Sequence, residues 1–363
     1  SEGIIHASKF NLGEKNNAIS LCIHLNSNNE ITEWSFHLTL VKCSLIVDSD
    51  ITDALLSRKS KTRITSRLLK PLKEHIEDLD KILEISSLFR QRQLLEGKVE
   101  IPTPPNNIKS LDEFFVHNPC DYSNGYFEAL KKEDCQTFLS PIIYEGNLIW
   151  FKHSNRYGLN SAGYLSETLD YINANEINKY LEFSGNDIEL NEEGNLSFSQ
   201  IVKLCDDGDD NKKRILNKLL INEFKENEIR LVSKNSNDNE SQGQFITPWT
   251  MPGYDLINLL NQYCILNMIL SGKKSDKNNL KDINIMKNDS LDLVSCEISN
   301  SVISKNIDTI FNKFLIDKIK EYKSKVNKYK SNMISIKKVR EAEKLIGNIY
   351  NGFILSVQSY GFF

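Results

Sequence analysis

Residues able to do chemistry are unevenly spread along the 363-residue chain. Cys205–Asn211 reads CDDGDDN, four carboxylates around a glycine, a set of hard oxygen donors of the kind Ca2+ and Mg2+ take. It lacks the ligand spacing and terminal Glu of an EF-hand, so it reads as a solvated acidic turn capping the next helix. The six histidines are His6, His24, His37, His75, His117 and His153, and none lies three or four residues from another, so no helical zinc pair is available. The seven cysteines (Cys22, Cys43, Cys120, Cys135, Cys205, Cys264 and Cys296) contain no C-x-x-C pair. That argues against a zinc knuckle and against a disulfide framework. No glycine-rich phosphate loop and no G-x-S-x-G nucleophile elbow occurs. On the residues alone, no catalytic group and no metal ligand is assigned.

Charge gives a firmer signal. The net charge is −4, but Lys305–Lys344 holds twelve Lys/Arg against five Asp/Glu, and Arg58–Glu74 holds seven basic residues against one acid. Glu167–Asp210 runs the other way, with twelve acids and two lysines. Basic stripes are the footprint expected for a phosphate backbone, and equally the ordinary solvated face of a helix. At 40% hydrophobic and 26% charged residues, the chain can build a globular core. No run approaches the ~20 apolar residues of a membrane span. SEGIIHASKF, at the start, has no secretory pattern. Scattered free thiols fit a reducing compartment, so the expected location is the cytoplasm or an organellar matrix or stroma.

The elements that would position such residues are legible by period. Ala18–Leu25 and Ile31–Val41 alternate apolar and polar around the turn cluster Asn26–Asn29, which predicts a β-hairpin. From Ile76 the positions Leu79, Ile82, Leu83, Leu88 and Phe89 predict a helix, ended by Gly97; Pro102, Pro104 and Pro105 then mark an extended segment. Gln136–Phe151 reads as a buried helix with Pro141 near its first turn, and Ile215–Phe224 as a short helix. Ser233–Gln244 and Ser271–Lys281 read as loops. Tyr254–Leu270 is helical, with Leu256, Leu259, Leu260, Tyr263, Leu266 and Leu270 proposed as its packed side. Val294–Tyr322 is expected to be the longest helix, its apolar stripe running unbroken from Ile298 to Tyr322. Trp34, Trp150 and Trp249 are expected to pack, Trp249 having base stacking as its alternative.

The last residues, YNGFILSVQSYGFF, resemble the first strand of the RNA-binding OB barrel first described in a ribosomal protein. The matching positions are Gly352, Ile354, Val357, Tyr360, Gly361, Phe362 and Phe363. The resemblance implies that Tyr360 and Phe362 stack on bases, which is worth ~1–3 kcal/mol per base. One such strand cannot bury its own face, so it is expected to lack a partner, as though cut from a longer protein.

Upstream, the chain resembles the second half of the catalytic domain of the ribonuclease II / ribonuclease R family, 3′→5′ exoribonucleases. The segments that carry this are NNAISLCIHLNSNNEITEWSFHLTLVK (16–42), FRQRQLLEGKVEIP (89–102), NEIRLVSKN (227–235) and ITPWTMPGYDLINLLNQ (246–262), in the family's order. In the last, Thr247 and Asp255 stand eight residues apart as in the family motif, and Leu256 follows. Met251 and Pro252 occupy the places of the motif's two basic residues, and Leu259 that of its histidine. Arginine there would clamp the scissile phosphate, and losing such a donor costs ~10²–10³ in rate. The family's Mg2+ is held by an aspartate cluster, DxxxxxDxDDA, which the resemblance places before Ser1. The expectation is therefore an α+β fold. A twisted antiparallel sheet packed with helices covers residues 1–345, and the start of an OB fold covers 346–363. Single-stranded RNA is the expected partner, with neither DNA nor membrane. Its contacts would come from Thr247, Trp249, Asp255, Lys305, Lys313, Tyr360 and Phe362. No Mg2+ is expected on this chain and no hydrolysis by it. The competing expectation is a non-catalytic RNA binder or a helical scaffold with incidental basic faces.

Overall fold

The computed structural model describes residues 9–47, 49–56, 67–95, 99–102, 127–130, 135–165, 228–232, 245–253, 255–274, 295–298, 300–349 and 357–362, with residues 3 and 58. The expected features at Gly97, Pro104, Pro105, 205–211, 215–224 and 233–244 lie outside them. Among the described residues the strands form five small sheets, four antiparallel and one parallel.

Strand β1 (Lys15–Leu25) pairs antiparallel with β2 (Ile31–Lys42) over most of their length, as the period-2 pattern predicts. Asn26 sets the turn: its Oδ1 accepts from the Asn28 and Glu30 amides, both at 2.9 Å, and Asn29 takes the left-handed φ of 60° that Asn tolerates. Helix α1 (Ser49–Leu56) and α2 (Ile76–Leu95) share a small core of Leu55, Leu69, Leu72, Ile76 and Leu79. Arg58, the head of the first basic run, is bound within this unit, its Nη2 2.5 and 2.6 Å from the two Asp80 oxygens.

Strand β3 (Val99–Pro102) runs parallel to β4 (Phe127–Leu130). Helix α3 (Cys135–Tyr157) is the buried helix the sequence predicts, and Pro141 lies inside it. Gln93 of α2 donates through Nε2 to the Pro141 carbonyl and to Glu145 Oε1, both at 2.9 Å, while Arg92 pairs with Glu145 Oε2 at 2.7 Å. The buried Glu145 carboxylate is thus both paired and hydrogen-bonded, as a charge out of water must be.

Strand β5 (Ser161–Leu165) lies between β6 (Glu228–Val232) and the two-residue β7 (Phe245–Ile246). Gly163 is required here: a Cβ would sit 2.3 Å from the Ile246 carbonyl oxygen and 2.8 Å from the Phe245 ring. Helix α4 (Leu256–Ser271) packs on this sheet and on β2. Its buried side is Ile257, Asn258, Leu260, Asn261, Cys264, Ile265, Met268 and Ile269, whereas Leu256, Tyr263 and Leu270 face solvent. The expected packed side was therefore misplaced. The helix is apolar nearly all round, and Asn258 and Asn261 face inward, where the Met251 amide bonds to Asn258 Oδ1 and the Ala162 and Pro248 backbone takes the Asn261 amide.

The expected loop after Ser271 and the expected long helix are also corrected. Gly272–Lys274 forms β8, paired with β9 (Ser295–Ile298). Two helices then follow, α5 (Ser301–Ile310) and α6 (Lys313–Glu343). Asparagines make both breaks: Asn300 Oδ1 accepts from the Val302 and Ile303 amides, and Asn312 Oδ1 from the Leu315 amide. The apolar stripe consequently splits, with Ile307, Phe311, Ile316 and Ile319 in the main core and Val302, Phe314 and Tyr322 exposed. At the end of the chain β10 (Val357–Gln358) pairs with β11 (Gly361–Phe362) around a Ser359–Tyr360 turn, Gly361 taking φ +150°. The strand expected to be partnerless pairs with the residues just after it. A hairpin of this size is not by itself an OB barrel.

Candidate functional site

A loop joins β7 to α4, and Thr247 and Trp249 on it are buried. Thr247, fully buried, donates from Oγ1 to the Asn147 carbonyl at 3.1 Å, and Trp249 donates from Nε1 to the Gly146 carbonyl at 3.0 Å. Both acceptors belong to α3, so the loop is stapled to that helix. The Trp249 ring lies 5.7 Å from Phe36 in a tilted edge contact, which ties the loop to β2 as well. Trp34 and Trp150 join the same core, so all three tryptophans pack as the sequence predicts.

Asn261 holds the other side. Its Nδ2 donates to the Ala162 and Pro248 carbonyls at 2.7 Å each, and its Oδ1 accepts from the Ala162 amide at 3.0 Å. β7 pairs only with Tyr164 and Leu165, so this side-chain amide satisfies the stretch of β5 beyond its reach. Asn258 Oδ1 accepts from the Met251 amide at 3.2 Å, fixing the turn where Met251 and Pro252 stand half-buried.

Asp255 heads α4. Its carbonyl accepts from the Leu259 amide, and Oδ1 from the Ile257 amide at 3.2 Å. Oδ2 accepts from the Tyr164 hydroxyl at 2.6 Å and from Lys323 Nζ at 3.1 Å. The Lys323 ammonium also lies 4.3 Å from the Tyr164 ring centroid, a cation–π contact. A second pair lies alongside: Lys320 of α6 reaches Glu228 at 3.3 Å, and Arg230 reaches the same carboxylate at 2.7 Å. The Arg230 hydrogen bond, and then Lys320, hold the Glu228 carboxyl below its ordinary range despite opposing desolvation. The basic stripe of α6 is thus partly neutralised inside the protein.

A third polar feature lies behind the loop. His153, buried, accepts the Trp34 indole N–H on Nδ1 at 3.1 Å, while Nε2 has no hydrogen-bond partner among the described residues. Burial, and secondarily the Arg156 charge, push its pKa down to about 4, so the ring is neutral at pH 7.

Of the residues singled out by the sequence, Thr247, Trp249 and Asp255 share this one loop. Lys305 is exposed on α5 and Lys313 is exposed as the first residue of α6. Tyr360 is exposed at the tip of the terminal hairpin, and Phe362 pairs there with Val357 through the backbone. Sequence reasoning missed Asn261, Tyr164 and Lys323, which organise the loop. The signal present was Asn258 and Asn261, three residues apart on a mostly apolar helix. Among the described residues no three His, Cys, Asp or Glu side chains gather as a group that could hold a metal. Asp255 and Glu228, the carboxylates nearest the loop, are each bonded to lysine. The described donors therefore do not fit an Mg2+ site, and no step through the metal is derived.

A family model for the RNB domain matches residues 6–248. The fold is similar to the apo form of Mycoplasma genitalium RNase R, at 14% identity and a TM-score of 0.67, covering 97% of this chain and 48% of that one. The same enzyme in complex with ribose methylated single-stranded RNA matches at 14% identity and TM-score 0.65, covering 97% and 48%. Its complex with double-stranded RNA matches at 13% identity and TM-score 0.67, covering 97% and 55%. The chain thus spans about half the length of the RNase R chains it matches. No curated protein matches it in sequence. Among the described residues no helix is long and apolar enough to cross a membrane. With the matched region covering most of its length, and with strand, loop and helix in the order its motifs anticipate, the chain belongs to the RNB domain family.

Proposed function

We propose that this chain is a ribonuclease II-type unit that holds single-stranded RNA without hydrolysing it. One observation carries the reading: the motif loop is folded and hydrogen-bonded to the protein, yet contributes no cation. Thr247, Trp249, Asp255, Asn258 and Asn261 all bond to the protein itself, and Met251 and Pro252 stand where arginines would meet a phosphate. The loop keeps its architecture and lacks the charge that stabilises a phosphoryl transition state. In this reading Thr247, Trp249 and Asp255 shape the RNA-facing loop. Lys305 and Lys313, exposed on neighbouring helices, meet phosphates, and the Tyr360 and Phe362 hairpin offers a stacking platform. Mg2+ and 3′→5′ exonucleolysis belong to the parent activity of the family.

Two assays on the purified chain test this. A fluorescent oligouridine should bind with an affinity that falls steeply with salt. Lys305→Glu/Lys313→Glu should weaken it and flatten the log–log salt slope by about 1.4, the loss of two single-strand phosphate contacts. Incubation with RNA and Mg2+ should release no nucleoside monophosphates. Release would refute the non-catalytic reading, and salt-independent or absent binding would refute the RNA reading in favour of a scaffold.

A further inference from the structure

Helix α6 outlasts the core it starts in. Ile316 and Ile319 are buried, but from 321 to 349 no described residue is. Over this stretch Tyr322, Val326, Tyr329, Met333 and Ile336 recur at alternating spacings of four and three residues. They are 64, 60, 70, 49 and 49% exposed. Alternating three and four is the a/d repeat of a coiled coil, and it continues the register of Leu315 and Ile319. The seam from Tyr322 to Ile336 is about 22 Å long.

Its surroundings select what can cover it. Residues 322–340 contain seven Lys/Arg and no Asp or Glu. In that register Lys323, Lys330 and Lys337 take the e positions, and Lys325, Asn332 and Val339 the g positions. Lys323 is paired with Asp255 and Lys325 with Glu321, which still leaves the stretch strongly positive. A parallel second copy would set Lys325 against Lys330, and an antiparallel one would bring the e-position lysines together. RNA would meet the lysines and the two tyrosines, but offers nothing to Val326, Met333 and Ile336. An anionic bilayer needs a broad apolar face, and two positions in seven make a narrow one.

We propose that α6 binds one helix of another protein, apolar at its own a and d positions and rich in Asp and Glu on its flanks, as a two-stranded coiled coil. This goes beyond the RNA reading and uses residues apart from Lys305 and Lys313. The probe is a labelled synthetic peptide of about four heptads with Ile at a, Leu at d and Glu at e and g, compared with its Lys-flanked twin. By fluorescence anisotropy the Glu peptide should bind the full chain at least about tenfold tighter than the Lys peptide. Val326→Gln/Met333→Gln should weaken it at least about tenfold while leaving oligouridine binding and the far-UV circular dichroism unchanged. Lys325→Glu/Lys337→Glu should narrow the preference between peptides. Equal binding of the two peptides, or retention in the Gln variant, would overturn the proposal. So would a wild-type dimer in sedimentation that the Gln variant dissolves, or loss of oligouridine or anionic-vesicle binding in that variant.

Discussion

The buried imidazole of His153 makes the stability of this protein depend on pH in a way that can be isolated. In the folded chain its Nδ1 accepts from Trp34 and its pKa sits at about 4, against an ordinary 6.5. Unfolding exposes the ring to water, where it regains the ordinary value. Between pH 6.5 and 4 the unfolded chain therefore binds a proton that the folded chain does not. The stability His153 supports is fully present above pH 6.5 and is lost as the pH falls towards 4, by about 1.4 kcal/mol per pH unit and about 3 kcal/mol in all. His153→Gln keeps an acceptor for the Trp34 indole and removes the titration. Urea denaturation of both proteins at half-unit steps from pH 8 to 4 gives the difference curve. It should be flat above about pH 7 and decline by about 3 kcal/mol below it. Carboxylates shared by the two proteins cancel. A difference curve flat throughout, or an imidazole resonance of His153 titrating near 6.5 in the folded chain, would refute the reasoning.

Further outcomes follow from the braced loop. Asn261→Ala strands the Ala162 amide and carbonyl and the Pro248 carbonyl in a buried site and should cost about 3 kcal/mol in denaturant titration. Asn261→Asp, which sets a buried carboxylate oxygen against both carbonyls, should cost at least as much at neutral pH. Gly163→Ala drives a methyl group into the Ile246 carbonyl and should cost about 3 kcal/mol by forcing β5 and β7 apart, read as a lowered urea midpoint. Lys305→Glu/Lys313→Glu, both on exposed positions, should leave that midpoint within about 0.5 kcal/mol of wild type while weakening RNA binding.

Local pattern gave the sequence reading its successes. Apolar–polar alternation on both sides of Asn26–Asn29 specified β1 and β2 and their turn, because side-chain period and turn chemistry are properties of neighbouring residues. The buried character of α3 was legible for the same reason. The caps at Asn300 and Asn312 were local too, but a strong apolar stripe across Ile298–Tyr322 masked them. An asparagine whose Oδ1 accepts the amide two or three residues on starts a helix there whatever the apolar period. The resemblance of Thr247, Asp255 and Leu256 to the family motif, with Met251 and Pro252 at the places it gives to basic residues, was likewise legible in the sequence.

What tertiary structure alone decided is where the polar groups find partners. Trp34 meets His153 across 119 residues, Asn261 meets Ala162 across 99, and Asp255 meets both Tyr164 and Lys323 across 91 and 68. Nothing in the spacing of those residues announces the pairs. Each exists because packing removes water from a donor or acceptor, and the nearest group able to replace that water comes from a distant segment. The same rule set the inward face of α4, where Asn258 and Asn261 are buried while Leu256 and Leu270 are not. Sequence determined the β1–β2 hairpin, the buried helix α3 and a stretch, 246–258, without Lys or Arg. The crossing of the chain determined that its remaining polar residues bind the protein itself.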